Sequence, residues 1–136
     1  MSKVLTKKKP TVSKLKKKLD AIYSIYIRTK YADDTGEVSC YTCPRRDHYK
    51  NLQCGHFVPR QYLKTRWDER NTRPQCYACN MLYNGQPSRF AANLVAEYGQ
   101  GIVEELERNR MIPVKLDVIW YMGEIEKYKE LLDKQG

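Results

Sequence analysis

The sequence has no apolar run approaching the about 20 residues that cross a bilayer, which excludes a helical membrane span. The lysines near its start are not followed by an apolar stretch, so no secretory signal is expected there. There is no internal repeat, and no low-complexity segment beyond that lysine-rich start. Acidic residues are scarce where basic ones gather. Residues 1–96 hold 19 Lys and Arg against 7 Asp and Glu, a net of +12, whereas residues 97–136 hold 6 against 9, a net of −3. A polyanion, most often a nucleic acid, is therefore expected against the first two thirds of the chain. The cysteines number five, an odd count that does not suit a closed disulfide framework. Reduced thiols suit metal ligation and the cytoplasm, which is the expected location. At 136 residues the chain is expected to form one domain with a modest core that a structural metal would assist.

What is present is a pair of Cys-x2-Cys knuckles. Cys40-Tyr41-Thr42-Cys43 opens the central stretch, and Cys76-Tyr77-Ala78-Cys79 closes it. Each knuckle lets two thiolates meet one tetrahedral ion across a tight turn. Cys40, Cys43, Cys76 and Cys79 are thus the predicted ligands of a structural Zn2+, and Cys54 is left as a buried thiol.

The predicted elements follow from periodicity and turn residues. Residues 1–10 read as a basic arm ended by Pro10, either solvated or touching phosphate. A helix over 11–30 buries Leu15, Leu19, Ile22 and Tyr26. Residues 37–39 form a short strand into the first knuckle. Residues 49–57 have strand character, and together the two suggest a hairpin region with His56 on its later strand. His48 reads as an exposed loop residue.

Residues 59–74 look like a polar surface loop. It carries Arg60, Lys64, Arg66, Arg70 and Arg73, the predicted nucleic-acid contacts. A helix is expected to start at the second knuckle, another to run over 89–98 capped by Ser88, a short one over 102–110, and a last one over 116–134. The reading divides the chain into an arm (1–10), a zinc-bound helical and hairpin domain (11–112), and a C-terminal helix (113–136). Ile119, Trp120, Tyr128 and Leu131 on that last helix either form a homodimer surface or pack on their own domain.

The order knuckle, strand with Gly55-His56, loop with Asn71, knuckle, Asn80 resembles the HNH, or His-Me finger, endonucleases. Cys-x2-Cys-Asn after a distant first Cys-x2-Cys is also similar to the phage endonuclease VII family. A wider resemblance runs through Tyr26-Ile27-Arg28, Val38 to Cys43, Gln53-Cys54-Gly55-His56-Phe57-Val58, Glu69-Arg70-Asn71, Gln75-Cys76 and Cys79-Asn80. Over residues 20–100 this resembles the NinG (Rap) recombination proteins of lambda-like phages. The resemblance implies an α+β fold with a zinc-stapled ββα core among helices. It also implies a structure-specific endonuclease that cleaves branched DNA such as Holliday junctions and D-loops in the host cytoplasm. It casts His56 as general base, Asn71 as the middle motif residue and Asn80 as metal ligand.

The chemistry fits those residues. Phosphodiester hydrolysis needs an activated water, a cation on the phosphate and a proton for the leaving oxygen. A neutral imidazole at His56 is a suitable base. Mg2+ or Mn2+ takes oxygen ligands and keeps several waters; the Asn80 amide oxygen is one such ligand. Asn84, four residues on, is expected on the same helix face as a further one. Many HNH enzymes carry Asp or His before the base where this chain has Gly55, which leaves Asn80 nearly alone. Two other readings stay open: a zinc module that binds DNA or RNA without cutting, and an HNH nuclease with no junction preference. In the first of these His56 could itself be a zinc ligand, Asn71 could serve only to tie its loop, and Asn80 could merely start the helix.

Overall fold

The computed structural model describes residues 9–135, so most of the basic arm lies outside the described residues. The fold is α+β: among the described residues there are five α-helices and two small antiparallel sheets. Helix α1 (Val12–Lys30) starts at Thr11, whose side chain accepts a hydrogen bond from the Lys14 amide. Its apolar positions recur at three and four residues, so Leu15, Leu19, Tyr23, Tyr26 and Ile27 share one buried face. Ile22, predicted for that stripe, is only half-buried at its edge.

Helix α5 (Val118–Gln135) packs along this face with Tyr121, Ile125 and Tyr128. Tyr23 meets Tyr128 edge to face at 5.0 Å, and Tyr26 meets it at 5.1 Å. Trp67 closes one end against Trp120 and Tyr121. The C-terminal stripe is thus largely used inside the molecule: Tyr128 is buried, Leu131 packs on the same core, and Ile119 stays exposed.

Strands β1 (Glu37–Ser39) and β2 (Arg46–His48) pair antiparallel around the first knuckle. His48, expected in a loop, is half-buried on β2 and stacks on Tyr49. β3 (Gln53–His56) does not join them. It pairs with β4 (Thr72–Gln75), which opposes Gln53 to Gln75 and His56 to Thr72. The stretch expected to be a surface loop therefore holds a short helix, α2 (Leu63–Arg66), and then a fully buried strand. β4 reads as polar, yet its side chains find internal partners, Gln75 Oε1 excepted. Thr72 Oγ1 meets Tyr23 Oη at 2.7 Å, and Gln75 Nε2 donates to Thr42 Oγ1 and to the Gly85 carbonyl, each at 2.9 Å.

After the second knuckle the chain makes a single wide turn over Ala78–Leu82, shorter than the expected helix. Helices α3 (Pro87–Tyr98) and α4 (Ile102–Arg110) then bury Phe90, Leu94, Ile102 and Leu106 around Val58. α3 opens with Pro87 at its first turn rather than with a Ser88 cap. No helix among the described residues is long and apolar enough to cross a membrane.

Candidate metal centre and adjoining cleft

The sulfur atoms of Cys40, Cys43, Cys76 and Cys79 all lie within 4.8 Å of one another, with Cys43 and Cys76 at 3.7 Å. Thiolates at about 2.3 Å from a tetrahedral zinc sit about 3.8 Å apart, so the four could hold that ion. The backbone supports the thiolates from within the knuckles. The Cys76 amide donates to Cys40 Sγ at 3.3 Å, and the Cys79 amide to Cys76 Sγ at 3.5 Å. Cys54 stands apart from this group, and burial pushes its thiol up to about 12.

Beside the knuckle a cleft of about 430 Å3 runs between α1, β3 and the wide turn. Asp20, Arg28, Gln53, Cys54, Arg60 and Asn80 are among its walls. Asn80 Nδ2 donates to Gln53 Oε1 at 2.7 Å, which leaves the Asn80 carbonyl oxygen as the atom able to meet a cation. His56 is two residues beyond Cys54 on β3, so both side chains leave the same face of the strand, but His56 itself is not among the walls of the cleft.

His56 Nε2 lies 2.9 Å from the Arg66 carbonyl oxygen. A carbonyl only accepts, so Nε2 carries the proton and Nδ1 keeps a lone pair. Burial lowers the His56 pKa to about 4, against a smaller opposing pull from that carbonyl. The ring is therefore neutral at pH 7. This is the protonation state that a general base needs.

Asn71, fully buried, fixes the segment that carries this carbonyl. Its Oδ1 accepts from the Val58 amide at 2.7 Å, and its Nδ2 donates to the Val58 and Thr65 carbonyls at 3.0 and 3.1 Å. It thus ties strand to loop and does not reach the cleft as one of its walls. Asn84 is placed differently from the helical expectation. The turn ends at Leu82, and Asn84 lies beyond it, exposed, at φ +54°. It does not share a helix face with Asn80.

Gly55 has a steric reason. A Cβ there would fall 1.8 Å from Gln75 Oε1, a buried atom with no hydrogen-bond partner among the described residues. A carboxylate at this position would have to displace Gln75.

Of the predicted phosphate contacts, Arg60 and Lys64 face solvent. Arg66 is buried against Asp20, donating from Nε to Oδ1 at 3.0 Å and from Nη2 to Oδ2. Arg70 grips Asp68 at 3.0 Å and Glu105 at 2.9 Å. Arg73 is 1% exposed; its guanidinium pairs with Glu97 at 2.8 Å and lies over the rings of Tyr31, Tyr41 and Tyr98.

The family model described as Bacteriophage Lambda NinG protein matches residues 2–135. The chain belongs to the NinG family. No curated protein and no solved structure matches it significantly. Within this NinG chain the site residue that sequence reasoning missed is Asp20. It accepts from Arg66, from Trp67 Nε1 at 3.0 Å and from Arg60 at 3.4 Å, and so joins α1 to the loop that holds His56. Its one sequence signal is position: it is the sole acidic residue before Asp33, on a lysine-rich helix.

Proposed function

We propose that this NinG-family chain is a metal-dependent endonuclease that hydrolyses phosphodiesters in branched DNA, such as Holliday junctions and D-loops. One observation carries the reading. The His56 imidazole is held neutral, its Nε2 proton committed to the Arg66 carbonyl, on the strand that walls the cleft containing Asn80. The β3–β4 pair followed by the knuckle turn supports the ββα arrangement that this chemistry uses.

In this mechanism Nδ1 of His56 accepts the proton of the attacking water. Asp20 and Asn71 act at one remove: the first grips the Arg66 side chain, and the second fixes the Thr65 carbonyl next to it. Arg60, exposed at the rim, is the side chain placed to hold a phosphate. Asn80 Oδ1 would hold Mg2+ or Mn2+, most of whose other ligands would be water. Such an ion supplies charge stabilisation for the phosphate and an acidic water for the leaving oxygen.

The test is nicking of a four-way junction and of a linear duplex, with Mg2+, with Mn2+ or with neither. His56→Ala should lower the rate on the order of 10²–10⁴-fold while zinc content and DNA binding persist. Wild-type cleavage by the purified variant would remove His56 from the mechanism. Tight binding without any cleavage by the wild type would assign the chain to the non-catalytic zinc modules. Equal cutting of junction and duplex would leave a nuclease without junction preference.

A further inference from the structure

The wide turn at the second knuckle and the residues that flank it, Tyr77 and Tyr83, expose large apolar side chains. Tyr77, Met81, Leu82 and Tyr83 are 54, 56, 62 and 59% exposed, four large apolar residues within seven positions. Burying such groups is the ordinary outcome, so a cluster held in water calls for a partner. We propose that this turn is a wedge that stacks on base faces at the branch point of DNA. The proposal rests on the cleft being a DNA site, and it assigns the origin of branch preference to these side chains.

The turn is built to protrude rather than to fold away. Cys76 and Cys79 anchor it in the sulfur cluster. The Asn80, Tyr83 and Gly85 amides donate to the Cys76, Ala78 and Cys79 carbonyls at 2.9, 2.9 and 2.8 Å. Asn84, Gly85 and Gln86 then hold φ of +54°, +84° and +51°, a left-handed run that reverses the chain sharply. Two of these are not glycine, and side-chain residues adopt that region at a cost unless the surroundings require it. A rigid ridge loses little freedom on binding, which favours insertion.

Its place fixes the occupant. Asn80 and Met81, in the middle of the turn, wall the cleft that also holds Arg60, so a strand lying in the cleft runs onto the ridge. The sequence from Arg70 to Ala96 contains no acidic residue, and nothing on this segment repels phosphate. Aromatic and aliphatic side chains gain by stacking on any base, because every base has a π-face. In an intact duplex those faces are covered, and exposing them requires unstacking a step. Where strands diverge the terminal pair already presents its face. The ridge therefore favours a branch over a duplex without reading sequence.

The test uses zinc-loaded full-length protein with no added Mg2+ or Mn2+, so that binding is read apart from cleavage. Affinity is measured for a four-way junction and for a linear duplex of equal length, each carrying 2-aminopurine at the branch point or the matching site. The wild type should prefer the junction and change the branch-point fluorescence. Leu82→Ser/Tyr83→Ser should lose that fluorescence change and about tenfold of the preference, with duplex affinity and zinc content unchanged. Should the double variant fold poorly, Leu82→Ser alone is expected to give a smaller loss in the same direction.

Preference retained in the variants overturns the proposal. So does equal wild-type affinity for both DNAs, or a parallel loss on both. Wild-type self-association that the variant abolishes, with DNA preference intact, assigns the ridge to a second copy of this chain instead. A protein that shows the expected binding pattern yet never cuts keeps the wedge and removes the nuclease activity; the reverse pattern does the opposite.

Discussion

Two regions of this molecule hold together by different means. The α1–α5 pair relies on aromatic packing: Tyr23, Tyr26, Trp67, Tyr121 and Tyr128 form one buried cluster with leucine and isoleucine between them. The knuckle and the β3–β4 pair bury few large apolar groups. Beside Val38 and Leu52, their interior holds the cysteine sulfurs, Asn71, Thr72, Arg73 and Gln75, placed by hydrogen bonds or by the sulfur cluster. Packing of the first kind tolerates a lost polar contact; an interior of the second kind does not, because each unpaired group keeps its desolvation cost. The proposed site residues His56 and Asn80 stand on the polar region. The difference teaches that directional bonds place the His56 imidazole and the Asn80 amide, while the aromatic pair supplies bulk stability.

The comparison can be broken at its largest point by removing zinc. Zinc sites of this kind contribute on the order of 10 kcal/mol or more to folding, so Cys79→Ser or chelation should unfold the β3–β4 region. Hydrogen exchange would show its amides losing protection before those of α1 and α5. Zinc near zero in well-folded wild type would end the distinction.

Tyr128→Ala attacks the other side. Truncating a buried aromatic costs about 3–5 kcal/mol, read as a lower denaturant midpoint with zinc content retained. Gly55→Ala is smaller, about 1–3 kcal/mol, the usual range for overpacking, since its Cβ meets Gln75 Oε1 at 1.8 Å. Adding Gln75→Ala should make the pair less costly than the sum of the two single changes; strict additivity would mean that the contact is not the cause.

The last effect is absent at pH 7 and confined to acid. Burial lowers the His56 pKa to about 4, below an unfolded value of about 6.5. The unfolded chain therefore binds the extra proton between those values. The stability tied to neutral His56 is present above about pH 6.5 and is lost as pH falls towards 4. The difference in urea midpoint between wild type and His56→Gln should change across that window and stay constant above it.

The sequence made some of this visible and not the rest, for physical reasons. α1 and α4 stand where their periodicity and turn residues put them, because a single amphipathic face decides a helix locally. The four cysteines were legible through spacing, since a knuckle is a local device. β4 was not, because Thr72-Arg73-Pro74-Gln75 has no apolar alternation; it is buried through bonds to Tyr23, Glu97, Tyr98 and Thr42, all distant in sequence. For the same reason β3 was grouped with the wrong partner. The place of Asp20 was hidden because the arginines it binds lie 40 and 46 residues away. The helical reading of Asn84 went past the end of a turn that the left-handed residues cut short.

The paired arginines have a consequence for how this chain would respond to ionic strength. Each phosphate neutralised by an outward-facing cation frees condensed counterions from DNA, and affinity falls with salt at about 0.9 of a log unit per log unit for each such contact. Arg66, Arg70 and Arg73 count among the 25 basic residues, but Asp20, Asp68, Glu105 and Glu97 already pair with them. The number of ions released on binding should therefore be set by Arg60, Lys64 and the lysines of α1 rather than by the full count of Lys and Arg. The salt slope of DNA affinity would count the protein's outward cations, and it should come out shallower than its composition suggests.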